Sequence, residues 1–235
     1  MFAITILLAP DFAFLKALHI HITSRTLILL NMSQHNLKEK INTLCNEIQS
    51  TLVPIELLTV EESKGIIKRF VAATEGNFQC WLATALIASR SSDVRSTVEK
   101  NLQVEIQENH SSMLRKFAVN AHAEPDAVDF RVVSQAVEQV RWLVAECSGL
   151  KCIALIAMLE SVSFIYPYLS SLARKAGSDD LTYTNIHEIE DPDHAEQFSK
   201  ALSDEMTFGY NNPEQDIDEV ISVLSDLYRS IFRCH

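Results

Sequence analysis

Cys152-Ile153-Ala154-Leu155-Ile156-Ala157-Met158-Leu159-Glu160-Ser161-Val162 decides the architecture of this chain. A helix through it is apolar on almost every face, and such a helix is stable only when other elements surround it. The apolar character extends from Leu150 to Tyr166. Pro167 is placed to kink the segment before helix resumes to Lys175, ahead of Gly177. One residue breaks the pattern: Glu160. A carboxylate in so apolar a helix must pair, protonate or bind a metal.

The segments around this core read as helices too. Upstream, Pro125 suits a first helical position, and Asp126–Cys147 repeats apolar residues at Val133, Val137, Val140 and Val144. Asp93 is placed to cap one long segment reaching about His122, and Phe78–Ser89 is apolar enough to be buried. Thr59 and Glu62 form a capping box for Val60–Ala73, and Asn36–Ser50 carries a stripe of Leu37, Ile41, Leu44 and Ile48. Downstream lie an acidic helix from about Leu181 to Met206, a loop at Gly209–Pro213 and an amphipathic helix over Glu214–Phe232. No alternating strand pattern, repeat or low-complexity tract is present. The expectation is an all-α bundle of about seven helices.

Composition narrows the function. Twenty Lys+Arg against 31 Asp+Glu give a net charge of −11. The basic residues are scattered, so no nucleic-acid face is expected. The five cysteines (Cys45, Cys80, Cys147, Cys152 and Cys234) include no C-x-x-C pair, which fits reduced thiols in a cytoplasmic protein. Residues 1–31 are apolar but are interrupted by Pro10-Asp11 and carry Lys16, His19, His21 and Arg25. These charges argue against stable membrane insertion, and the absence of a positive start argues against a secretory signal. The segment reads as an apolar N-terminal extension or a mis-set start, followed by a single helical domain over residues 32–235.

The sharpest chemical pattern is His187-Glu188-Ile189-Glu190-Asp191-Pro192-Asp193-His194, an HxxxDxxH motif. On an α-helix its i, i+4 and i+7 positions share one face. Two imidazoles and a carboxylate suit iron or manganese better than calcium. Pro192 either kinks the helix between the ligands or follows Asp191 as the first residue of a new helix. Taken alone the motif reads rather as a solvated acidic helix start carrying two surface histidines, and Glu160 is what tips the reading toward metal. A third cluster, around Asn101-Leu102 and Glu105, ends at His110. Glu105 and His110 lie five residues apart, about 140° around an ideal helix, so they meet at one metal only if that helix is distorted. The paired Glu-x-x-His of many di-iron bundles is absent, since Gln107 stands where the glutamate before His110 would be.

Taken together, Asn101-Leu102, Glu105, His110, the apolar helix with Glu160, and His187-x-x-x-Asp191-x-x-His194 resemble the heme-oxygenase-like di-iron oxidases and oxygenases. That family includes the chlamydial death-domain-associated protein and the alkene-forming fatty-acid decarboxylase. The resemblance runs from about Thr59 to the C-terminus. It implies a seven-helix fold, two Fe(II) ions and O₂ as co-substrate. It also implies that Glu105 and His110 hold one iron, that His187 and His194 divide between the two, and that Asp191 and Glu160 complete or bridge them. Glu105, Glu160 and Asp191 would thereby be catalytic. Family members oxidise amino acids, amines or fatty acids, and size and motif spacing are similar to a nitrile-forming member acting on a tryptophan-type amino acid. A small amino-acid-derived substrate needs a cationic contact for its carboxylate, for which Arg174 is the expected residue. Two alternatives stand beside this reading: a cofactorless or thiaminase-like enzyme of the same fold, and a non-enzymatic helical interaction protein. A homodimer is open to either.

Overall fold

A computed structural model describes residues 36–233. Residues 1–31, with His19 and His21, and Cys234 lie outside the described residues. The chain divides into two units, residues 1–39 and 40–235. Of the first, only residues 36–39 are described, and they are helical. The second unit is all-α, with no strand among the described residues.

In that unit, α1 runs to residue 51 and buries Leu44 and Ile48, as its stripe predicts. A short 3₁₀ turn at Ile55–Leu57 leads into α2 (Val60–Thr74). Thr59 and Glu62 form the expected reciprocal cap. Next come α3 (Asn77–Ala88), α4 (Ser92–Gln107), α5 (His110–Asn120) and α6 (Ala127–Ala145). The chain then forms α7 (Gly149–Ser161), α8 (Ile165–Lys175), α9 (Thr182–Met206) and α10 (Pro213–Phe232).

The Cys152–Val162 segment is the centre of the bundle. Nearly every side chain of α7 is buried, Glu160 included. It packs against α9, α10, α3 and α6. Helix α9 packs in turn against α4, α5 and α8, so the acidic HxxxDxxH helix touches every element that carries another candidate ligand. No single described helix is long and apolar enough to cross a membrane. Only α7 and α8 taken together are, and they are bent by 53° at the break between them.

The structure corrects several expected boundaries. The bend after α7 falls at Val162–Phe164 rather than at Pro167, which sits third in α8 where a missing N–H breaks no helical bond. Asp126 caps α6 reciprocally with Asp129, so Pro125 lies before the cap. Ser91, not Asp93, caps α4. Helix α3 is less buried than its composition suggests. Its apolar residues are spread around the axis, so that only Trp81, Leu82 and Ala85 are buried and Ile87 faces solvent. The long segment to His122 is two helices, broken at Glu108-Asn109, and that break bears directly on the site.

Candidate metal centre

The break between α4 and α5 brings Glu105 and His110 together. Asn109 adopts a left-handed conformation with φ 58°, which asparagine tolerates better than other residues with a β-carbon. The chain turns there, and His110 Nδ1 comes to lie 2.9 Å from Glu105 Oε1. The 140° separation of an unbroken helix is thus removed. Asn109 was the readable signal, hidden in a polar run.

Helix α9 passes through Pro192 without a new start at Asp191. His187 Nδ1 is 3.0 Å from Asp191 Oδ1 one turn on. His194 lies on the same side, its Nδ1 3.7 Å from Glu160 Oε2 on α7. His110 and His187 meet edge to face with ring centroids 4.9 Å apart.

Six of the seven residues singled out in the sequence therefore come together, from four helices. They form two groups, each with one donor atom per residue, all within 4.8 Å of one another: Glu105, His110 and His187, and Glu160, Asp191 and His194. The His187–Asp191 contact joins the groups. Arg174 does not take part. It is exposed in the last turn of α8, where a cation complements the helix dipole, and it does not line the adjoining cavity.

Three residues assigned no role from the sequence also reach these histidines. Glu108 and Glu190 form a further triad with His110. His110 Nδ1 faces Glu105, whereas Nε2 lies 3.3 Å from Glu108 Oε2, so this triad uses the opposite edge of the ring. Asn101 Nδ2 lies 3.2 Å from His194 Nδ1. Glu190 and Asn101 meet their histidines across helices, where no spacing rule marks them, and Glu108 meets His110 only because the helix breaks between the two.

Partner accounting shows a centre whose protein contacts are incomplete. His187 Nε2, Asn101 Oδ1 and Glu190 Oε2 are buried without a hydrogen-bond partner. Orphaned buried polar atoms are rare and costly, and a site for an ion is one reason for them. Glu105, Glu160 and Asp191 are each buried too, and among the described residues neither Lys nor Arg lines the cavity beside them. In the absence of a cation, protons supply the missing charge. Burial pushes Glu160 up to about 7, against the opposing effect of its contact with His194. Burial disfavours a charged His110, but Glu105 and Glu108 outweigh it and raise the ring to about 9. The contact with Glu160 raises His194 against the effect of burial. A divalent cation bound to the deprotonated forms would relieve the same charge imbalance.

The cavity beside the groups encloses about 60 Å³. Its walls are aromatic and aliphatic, including Phe70, Phe78, Trp81, Leu114 and Ile165. Tyr166 stacks on His187 with centroids 4.9 Å apart and an interplanar angle of 11°, and Tyr183 meets the same ring edge-on at 4.6 Å. Burial raises both phenols well above their ordinary range. No protein-family model matches the chain, and no curated protein is significantly similar to it in sequence.

Proposed function

We propose that this chain is a non-heme di-iron, O₂-dependent oxidase or oxygenase built on a heme-oxygenase-like helical bundle. Its substrate would be a small amino-acid-derived molecule, and nitrile formation from a tryptophan-type amino acid is the specific version of this reading. One observation carries it: two adjoining groups of three N/O donors, buried together, with His187 Nε2 left unpartnered between aromatic walls. Imidazole and carboxylate donors suit iron, and three donors per ion leave positions open. Bound there, two Fe(II) ions would supply the electrons that reduce O₂ to an oxidant.

The chain's own residues do the rest. Glu105, His110 and His187 on one side, and Glu160, Asp191 and His194 on the other, hold the ions. Tyr166 fixes the His187 ring by stacking and Tyr183 by an edge-on contact. Asn101 orients His194. The apolar wall excludes water, so that a reactive species meets substrate rather than solvent. The thiaminase-like alternative needs an activated cysteine at the cavity, and among the described residues none lines it. Cys152 is buried, and its thiol is pushed up to about 12 by burial and the neighbouring Cys147 and Glu146.

Anaerobic Fe(II) titration followed by an O₂ pulse in a stopped-flow spectrophotometer tests the proposal. Two irons per chain and a transient absorbance formed on mixing with O₂ are expected, and substrates can then be screened by how they accelerate its decay. No bound iron and no O₂ uptake would remove the oxidase reading and leave a helical interaction protein as the better account. Alkylating the exposed Cys80 and Cys147 should leave O₂ uptake unchanged.

A further inference from the structure

The third triad, Glu108, His110 and Glu190, shares only the His110 ring with the two donor groups of the proposed centre. Its members arrive from three helix segments. Glu108 ends α4 and His110 opens α5, and the left-handed turn at Asn109 folds the acid back until its Oε2 lies 3.3 Å from His110 Nε2. Glu190 stands on α9 three residues after His187, and so about 60° to one side of it. Its Oε2 is sealed from solvent and has no hydrogen-bond partner among the described residues. An atom left in that state is costly unless something else meets it. The three donors also grade from outside to inside. The Glu108 side chain is 47% exposed, Glu190 is half-buried, and His110 is 3% exposed. Past the ring come Glu105 and His187, both buried. His110 lines the cavity but Glu108 and Glu190 do not, so the triad is approached apart from the aromatic walls.

We infer that Glu108, Glu190 and His110 Nε2 form an outer site for a divalent transition-metal ion, through which ions reach the buried group of Glu105, His110 and His187. The ring itself leads there. Both of its nitrogens face carboxylate oxygens, Nδ1 at 2.9 Å from Glu105 and Nε2 at 3.3 Å from Glu108. A neutral imidazole has one N–H and one lone pair, so it serves an ion on one edge at a time. With the ion on Nε2, the Nδ1 N–H donates to Glu105. With the ion on Nδ1, the Nε2 N–H donates to Glu108. Neither state strands a nitrogen, so the ion can change edges without leaving an unpaired group behind. One proton leaves Nδ1 and one arrives at Nε2, and the charge of the ring is the same before and after. Two carboxylates and an imidazole, open on one side, suit a hydrated Mn(II), Fe(II) or Co(II) ion that gives up its waters in steps. A centre walled by aromatic side chains needs such an entry path.

This inference rests on the proposed metal centre, and one experiment separates the two. Anaerobic Co(II) uptake by the full chain, followed by visible absorbance in a stopped-flow instrument, gives the entry rate. Release to excess EDTA gives the exit rate, and equilibrium titration gives stoichiometry and Kd. Working in about 0.5 M KCl screens long-range attraction. Glu108→Gln and Glu190→Gln should each slow entry and exit together, roughly tenfold, the loss of one charge-assisted contact at the barrier. Two ions should still bind with unchanged Kd, because a group on the path alters the barrier and not the end state. Glu188→Gln removes an exposed charge from the same helix outside the triad and should alter neither rate. Faster release and weaker Kd in Glu108→Gln, with entry unchanged, would overturn the outer site and leave Glu108 as a carboxylate that orients His110. Equal slowing by Glu188→Gln would overturn it as well. No Co(II) bound by the unaltered chain would remove the centre and the outer site together, whereas two ions bound at rates indifferent to Glu108 and Glu190 would remove the outer site alone. Glu108 is exposed enough that its variant decides the matter even if Glu190→Gln fails to fold.

Discussion

Helix α9 buries acids at two places. Near its C-terminal end Glu205 is fully buried, and each of its oxygens is occupied. It accepts from the Arg90 N–H at 2.9 and 3.2 Å, from the Ser91 N–H at 3.2 Å and from the Tyr210 hydroxyl at 2.6 Å. These donors include the backbone entering α4, where a carboxylate complements the helix N-terminus. Nearer its start the same helix buries His187 and Asp191 opposite Glu160, and there His187 Nε2, Glu190 Oε2 and the facing Asn101 Oδ1 find no partner. Burial alone does not separate the two places, but hydrogen-bond accounting does. A satisfied buried carboxylate is a structural joint, whereas a cluster with orphaned atoms leaves room for a partner such as a water or an ion.

The largest expected effect breaks the comparison at its root. Asp191→Ala, His187→Ala or His194→Ala should reduce bound iron from two per chain to none or one, with the helical circular-dichroism signal retained. Glu205→Ala should do the opposite, keeping the iron stoichiometry while costing about 3 kcal/mol, because it strands two backbone donors and the half-buried Tyr210 hydroxyl. Metal analysis beside urea unfolding reads both. Iron lost from a folded Glu205→Ala, or kept in all three site variants, would mean that the two places do not differ in kind.

A smaller effect sharpens the structural side. Gly149 opens α7 against the Glu205 joint. A β-carbon there would stand 2.4 Å from Glu205 Oε1, 2.7 Å from the Tyr210 hydroxyl and 2.8 Å from the Ala88 carbonyl. The last is backbone and cannot swing away. Gly149→Ala should therefore cost about 1–3 kcal/mol by overpacking. The cost should shrink in the Glu205→Ala background, since the two residues share a contact. Additive losses in urea unfolding would show that Gly149 is required for another reason.

Much of this was legible in one dimension, for identifiable reasons. The apolar α7 announced its burial because no polar residue but Glu160 falls within its inner turns. The Thr59–Glu62 box works at a distance of three residues, and the His187–Asp191–His194 spacing survives because α9 continues through Pro192. What escaped depends on contacts made across helices or on a single backbone torsion. The turn at Asn109 split an apparently continuous helix and joined Glu105 to His110. Glu108, Glu190 and Asn101 are distant in sequence from at least one of their neighbours. Arg174 had the right chemistry, but the last turn of α8 carries it to solvent. The apolar residues of α3 gave its composition but not which of them face inward.

The smallest expected effect is a pH dependence that separates the two places in the metal-free chain. Burial raises Glu160 to about 7, and Glu105 and Glu108 raise His110 to about 9 against burial. Both values lie above those of the unfolded chain, so the folded state binds more protons across the interval and stability falls as pH rises. The Glu160 contribution is fully present below about 4.5 and is lost as pH passes 7. That of His110 is present below about 6.5 and is lost as pH passes 9. The melting temperature of the metal-free chain should therefore drop between pH 5 and pH 9. Saturating Co(II) or anaerobic Fe(II) should flatten or reverse the drop, because a metal binds the deprotonated groups and gains affinity as the protons leave. Glu160→Gln should lose the lower part of the slope even without metal, whereas Glu205→Gln should lower the whole curve and keep its shape. If the slope survives in Glu160→Gln and disappears in Glu205→Gln, the proton balance lies at the joint rather than at the metal centre, and the contrast between the two ends of α9 has been drawn the wrong way round.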